Sequence, residues 1–142
     1  MRLEVTRKSD LAVRALSVLG AADESQGAPL KGSDLAERVG ATSGFLAQVM
    51  TPLVRAGWVR SDPGPTGGYT LVADLDAVSV LAVIERIEGP TDSGQCVLVD
   101  RQCGESGHCA LHSPWVRARA QMLEELDRLR VADIALDPQL RR

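Results

Sequence analysis

Three cysteines share one segment of this chain, and they are its only cysteines. Cys96, Cys103 and Cys109 stand in QCVLVDRQCGESGHCALH with spacing C-x6-C-x5-C, and His108 and His112 flank the third. Thiolates are soft ligands that select iron–sulfur clusters, zinc or cuprous copper. Three thiols cannot all pair as disulfides within one chain. Zinc sites favour a C-x2-4-C knuckle, which this segment lacks. The pattern therefore points first to an iron–sulfur cluster, with structural zinc and pairwise thiol oxidation as the blander alternatives. Gly94, Gly104 and Gly107 would let the backbone wrap closely round an inorganic core. No Ser/His/Asp or Cys/His catalytic set, phosphate-binding glycine loop or carboxylate pair accompanies the cysteines, so an enzyme is not expected.

The elements that must position this loop are legible in the periodicity. The chain has 142 residues, is 44% hydrophobic and only 3% aromatic, and carries a net charge of −3. That mix suits one compact, helix-rich domain with a Leu/Val/Ala core. No apolar run approaches the ~20 residues needed to span a bilayer, and MRLEVTRKSD lacks a signal-peptide core. A cytoplasmic protein with reduced thiols and no membrane partner is expected.

Helical spacing over 9–22 puts Leu11, Ala15, Leu16 and Leu19 on one face, and a loop is expected at DESQGAP. A short helix over 32–39, a turn at Gly40–Thr42 and a helix over 43–56 follow, the last capped by Thr42 or Ser43. The period then changes to that of strands at 57–61 and 68–72, joined by DPGPTG. Residues 79–88 return to helical spacing, stopped by Gly89-Pro90. The cysteine loop fills 91–112, a long helix covers 113–130, and VADIALDPQLRR reads as a short helical turn and a frayed end. The fold class is mainly α with a small β wing: a winged helix-turn-helix domain over 1–76, then a region over 77–142 with the cysteine loop and a long C-terminal dimerisation helix.

With SDLAVRAL, LAERVGATSGFLAQVMTPLVRAGWVRS, the wing GPTGGYTL, IERIEGP and CALHSPW in this order, the chain resembles the Rrf2 family of bacterial transcription regulators, which includes IscR-like and NsrR-like iron–sulfur proteins. The resemblance covers nearly the whole chain and implies a homodimer with a cluster held by Cys96, Cys103 and Cys109. It implies a fourth, non-cysteine ligand. The NsrR-like position is Asp10, reaching over from the other subunit; the IscR-like position is His112. Asp10 alone would read as an acid favoured by a helix dipole, and His108 or His112 as polar loop residues. Two departures stand out. Pro63 occupies the position before the wing Gly-Pro where the family often has an arginine, with Arg60 the nearest substitute, and the first cysteine interval is one residue longer than in the nearest patterns.

The candidate DNA contacts are Thr42, Ser43, Phe45 and Gln48 at the start of the recognition helix, Arg55, Arg60 and Gly67 around the wing, and Arg2, Arg7, Lys8 and Lys31 on the N-terminal side. Each basic residue alone reads equally as a solvated charge. Together, residues 1–14 carry a net +2 (Arg2, Arg7, Lys8, Arg14 against Glu4, Asp10), and 91–112 carry a net −2 (Asp92, Asp100, Glu105 against Arg101), a basic reader and an acidic sensor. The expected function is a dimeric regulator, a repressor, bound to a partly palindromic double-stranded DNA operator. The resemblance leans it to nitric oxide sensing through a 4Fe-4S cluster with Asp10, with a 2Fe-2S redox or cluster-status sensor using His112 as the alternative. A small iron–sulfur electron carrier is the alternative of another class, though such proteins commonly use four cysteines.

Overall fold

The computed structural model describes residues 4–26, 28–92, 94–98, 101–104, 107–137 and 139, with only the backbone at 24–26. Six helices and one two-stranded sheet follow in the order α1 (Arg7–Gln26), α2 (Gly32–Val39), α3 (Ser43–Arg55), β1 (Val59–Asp62), β2 (Gly68–Leu71), α4 (Val80–Glu88), α5 (His112–Arg128) and α6 (Val131–Leu136).

α1 is the central element and packs against α2, α3, α4, α6 and β2. Its apolar face is the one the spacing named: Leu11, Ala15, Leu16 and Leu19 are buried, and Leu35, Val39, Leu46, Val49, Met50, Leu53, Val83 and Val131 close the core round them. Fully burying such aliphatic side chains contributes about 1.5–3 kcal/mol each. α1 is longer than the expected 9–22, running from Arg7 to Gln26. The polar DESQ segment continues the helix, since Glu and Gln are good helix formers and neither Gly nor Pro interrupts them.

α2 ends at Gly40, which adopts the left-handed conformation (φ 68°) and lets the chain turn into α3. Thr42 caps α3, its hydroxyl accepting from the Phe45 amide at 3.2 Å. The wing strands pair antiparallel with Val59 opposite Leu71 and Arg60 opposite Thr70. β1 begins two residues later than 57, because Gly57 has φ 76° and turns the chain out of α3. Leu30 adds a short bridge to Tyr69 on the other side of β2. Gly68 makes this possible: a Cβ there would lie 2.4 Å from the Leu30 carbonyl oxygen.

The short helical turn expected after 130 is α6, Val131–Leu136. α6 packs on α1, Val131 is fully buried, and the Val131 and Ala132 amides donate to the carbonyls of Val78 and Leu75. The long helix α5 stops at Arg128, with Leu129 extended. α5 has no buried residue and packs on α4; Val116 is 38% and Met122 42% exposed. Among the described residues no helix is long and apolar enough to cross a membrane.

Candidate metal centre and nucleic-acid interface

The cysteine loop begins where α4 ends. Asp92 shapes its base: one carboxylate oxygen accepts from the Gly94 amide at 2.9 Å, and the other accepts from Arg119 of α5 at 2.7 Å. These two partners hold the Asp92 carboxyl below its ordinary value, the Gly94 bond most. A small antiparallel ladder follows. Gln95 faces Gln102, the Cys96 amide donates to the Arg101 carbonyl at 2.9 Å, and the Cys103 amide donates to the Gly94 carbonyl at 2.9 Å. The far end of the loop joins α5, with the His112 amide donating to the Cys109 carbonyl at 3.0 Å.

All three cysteines are free thiols and half-buried. The Cys103 sulfur lies 2.8 Å from Nδ1 of His112, whose ring stacks on His108 with centroids 3.8 Å apart. Burial pushes the Cys103 thiol above its ordinary range, and the charges of Cys96 and Cys109 push it further. Among the described residues, no three His, Cys, Asp or Glu side chains are gathered tightly enough to hold a single metal ion. A mononuclear zinc site would need its sulfurs about 3.8 Å apart, given Zn–S bonds of about 2.3 Å in a tetrahedron. A cluster of several ions holds its thiolates further apart. Three thiols and an adjacent imidazole on one loop are the donor types that an iron–sulfur cluster takes.

The two fourth-ligand candidates are placed differently. His112 opens α5 and touches Cys103. Asp10 sits exposed in the first turn of α1 and pairs with Arg14 at 3.5 Å. His108 is exposed on the loop surface.

The helix-turn-helix presents Ser43, Gly44, Gln48 and Arg55 outward while Leu46, Val49, Met50 and Leu53 face in. Phe45 is half-buried and packs against the core edge. Thr42 and Phe45 line a shallow concavity of about 540 Å³ together with Gly40, Ala41 and Arg7. Lys31 is exposed at the start of α2, and Lys8 is half-buried on α1. Arg60 is exposed but pairs with Asp62 at 3.1 Å, so it is not held free at the wing tip. Gly67 is buried in the wing turn. Arg2, with the loop acids Asp100 and Glu105, lies outside the described residues.

One arrangement had no signal in the sequence. Glu88, the last residue of α4, accepts from the Thr6 hydroxyl at 2.7 Å and from the fully buried Ser9 hydroxyl. Thr6 in turn accepts from the Ser9 amide at 3.2 Å, as a helix cap does. The base of the cysteine loop is thereby tied to the start of α1. Seventy-nine residues separate Ser9 from Glu88, and no local pattern reports such a pair.

Comparison with known proteins agrees with this architecture. Residues 5–137 match the family Rrf2, described as an iron-dependent transcriptional regulator. The transcriptional regulator IscR of Vibrio vulnificus strain YJ016 is 30% identical over 135 residues, covering 95% of this chain and 79% of the relative. IscR of Yersinia pestis strain Angola is 30% identical over 132 residues, covering 93% and 79%. Among solved structures, CymR, the global cysteine regulator of B. subtilis, superposes with a TM-score of 0.73 at 28% identity, covering 94% of this chain and 97% of that one. T. potens IscR superposes with a TM-score of 0.70 at 26% identity, covering 93% and 85%.

Proposed function

The chain belongs to the Rrf2 family of helix-turn-helix transcription regulators, a family of DNA-binding proteins rather than enzymes, and from that premise we propose that it is a homodimeric repressor whose DNA binding is set by an iron–sulfur cluster in the 91–112 loop. The observation that supports this reading is the contact of the Cys103 sulfur with His112 Nδ1 at 2.8 Å, on the loop that also carries Cys96 and Cys109. Cys96, Cys103 and Cys109 would hold the group, with His112 as the fourth donor from the same chain. Bound there, a cluster would supply a centre whose redox state and integrity answer to reactive small molecules.

The remaining steps belong to the chain. Residues 1–76 act as the reader and 77–142 as the sensor. α3 enters a major groove with Thr42, Ser43, Phe45 and Gln48 at the bases, while Arg7, Lys8, Lys31, Arg55, Arg60 and the wing turn at Gly67 follow the backbone. Arg2 extends this basic edge in sequence. The exposed apolar side of α5 packs on its counterpart in a second copy, a reading that the exposure of Val116 and Met122 supports. A two-fold dimer then meets a partly palindromic site with half-sites about 34–36 Å apart or a multiple of that. Glu88 and Asp92 tie the loop to α1 and α5, so a change in loop order shifts the population of DNA-competent dimers. The protein acts in the cytoplasm.

A second reading uses Asp10. Its carboxylate is exposed and engaged in a surface ion pair, leaving it able to reach a cluster in a partner subunit. That reading makes the centre a 4Fe-4S nitric oxide sensor; the His112 reading makes it a 2Fe-2S redox or cluster-status sensor. Anaerobic purification followed by iron and acid-labile sulfide assays separates them. About four of each per chain favours the former and about two the latter. His112→Ala loses the cluster if His112 is a ligand, and Asp10→Ala loses it if Asp10 is. Neither iron nor sulfide overturns the cluster reading and leaves a regulator working through its thiols or a ligand.

A further inference from the structure

We propose that Cys96 and Cys103 form a disulfide when the loop is empty of metal, with Cys109 excluded from the pair. The loop ladder carries the argument. The 94–103 and 96–101 backbone pairs flank the Gln95–Gln102 pair. Side chains of successive pairs alternate between faces. Cys96 and Cys103 therefore share a face, on opposite strands, as diagonal neighbours across one pair. Diagonal neighbours lie about 7–8 Å apart at Cα, somewhat less at Cβ, and a disulfide needs Cα atoms within about 6.8 Å. The gap between those two figures is small, so a slight closing of the ladder brings the two sulfurs to bonding distance. Both are half-buried rather than sealed, which lets an oxidant in.

Cys109 stands outside the ladder. Its carbonyl is bound by the His112 amide, which places it in the turn that opens α5. The Cys103 sulfur contacts the His112 ring on the α5 side.

The oxidant is a disulfide such as glutathione disulfide. One cysteine sulfur attacks it, forming a mixed disulfide and releasing one glutathione thiol. The second cysteine attacks the protein-bound sulfur and releases the other glutathione. Two electrons pass from the cysteine pair to glutathione, and the two cysteine protons end on the two glutathione thiols. The new bond locks residues 94–103 as a closed hairpin and removes two of the three thiolates, so the oxidised chain cannot be loaded until a thiol reduces it. That consequence rests on the cluster reading. The bond itself does not, because it needs only the ladder.

The experiment uses the full chain, stripped of metal by chelation, incubated with glutathione disulfide, and mapped by mass spectrometry. Cleavage after Arg101 and Glu105 leaves each cysteine on its own peptide. The expected result is a Cys96–Cys103 link with Cys109 still open to alkylation. Cys109→Ser should form the same link within two-fold of the wild-type rate. Cys96→Ser and Cys103→Ser should stall as glutathione adducts. A dominant link to Cys109, or wild-type chain that keeps its glutathione adducts without closing an internal bond, would overturn the proposal. Failure of the cluster reading shows separately, as wild-type reduced chain that takes up no iron and sulfide.

Discussion

Replacing Glu88 by Ala tests the tie between the cysteine loop and α1. Glu88 accepts two hydroxyl hydrogen bonds on one carboxylate oxygen, from Thr6 at 2.7 Å and from Ser9. Bonds to a charged acceptor contribute about 1.5–3 kcal/mol when sheltered. The carboxylate is exposed to solvent, which lowers that figure. The Ser9 hydroxyl is not exposed at all, and without Glu88 its nearest hydroxyl partner is Thr6 at 3.3 Å. A loss of about 1–2 kcal/mol follows. With an unfolding entropy of about 2.1 cal/mol/K per residue, a chain of this size should melt about 3–7 °C lower. The assay is thermal unfolding of the reduced, metal-free chain at fixed protein concentration, because the proposed dimerisation would also move the midpoint. Amide exchange over residues 6–10 reports locally, since the Asp10 amide bonds to the Thr6 carbonyl at 2.9 Å in the turn that Glu88 secures. Glu88→Gln keeps an acceptor oxygen and should lose about half as much. A melt within 1 °C of wild type, with unchanged exchange at 6–10, would refute the argument that this contact couples the loop to the reader.

Three further outcomes follow from single contacts. Gly67→Ala should distort the wing, because a Cβ there meets the Asp62 carbonyl oxygen at 2.1 Å and that of Pro63 at 2.6 Å; the expected cost is about 1–3 kcal/mol, read in denaturant unfolding, with a larger fall in affinity for operator-containing DNA. Thr42→Ala removes the cap of α3 and should cost about 1 kcal/mol, while Thr42→Ser should cost almost nothing, by the same melts. Asp92 has a lowered folded pKa, so its contribution is present above its unfolded value of 3.8 and fades as pH falls through the lower folded one; the stability gap between wild type and Asp92→Asn should therefore persist at neutral pH and close in strong acid.

The reader half was legible because its determinants are local. Helical spacing in LAVRALSVL, the Gly40 turn with its Thr42 cap, and the glycine-rich wing each act over a few residues, and each sits where the pattern put it. The boundaries that moved did so for reasons a pattern does not weigh. DESQ reads as a loop by composition, yet nothing in it breaks a helix already nucleated over four turns. VADIAL, by contrast, is the short helical turn that the pattern gave, and it is held by packing Val131 and Ile134 against the core. The wing arginine question turned on a neighbour: Asp62 lies two residues from Arg60 on the same strand face and takes its guanidinium.

The sensor half was legible in its chemistry and not in its couplings. Three soft donors in one loop declare themselves by type and spacing, whereas the contacts that connect the loop to the rest of the chain run between residues far apart in sequence. Glu88 meets Ser9, and Asp92 meets Arg119, across 79 and 27 positions. Both acids are ordinary surface residues by composition. Their placement gives them consequence: they sit at the last turn of α4 and the first turn of the loop, so each grips the loop's base from a different side. A loop fixed only by its metal would move without moving anything else. Under the proposed function, one anchored to α1 by Glu88 and to α5 by Asp92 would shift the proposed reader or the proposed α5 dimer face whenever its own order changes, which is the mechanical requirement for a regulator whose sensing and reading sites are separate.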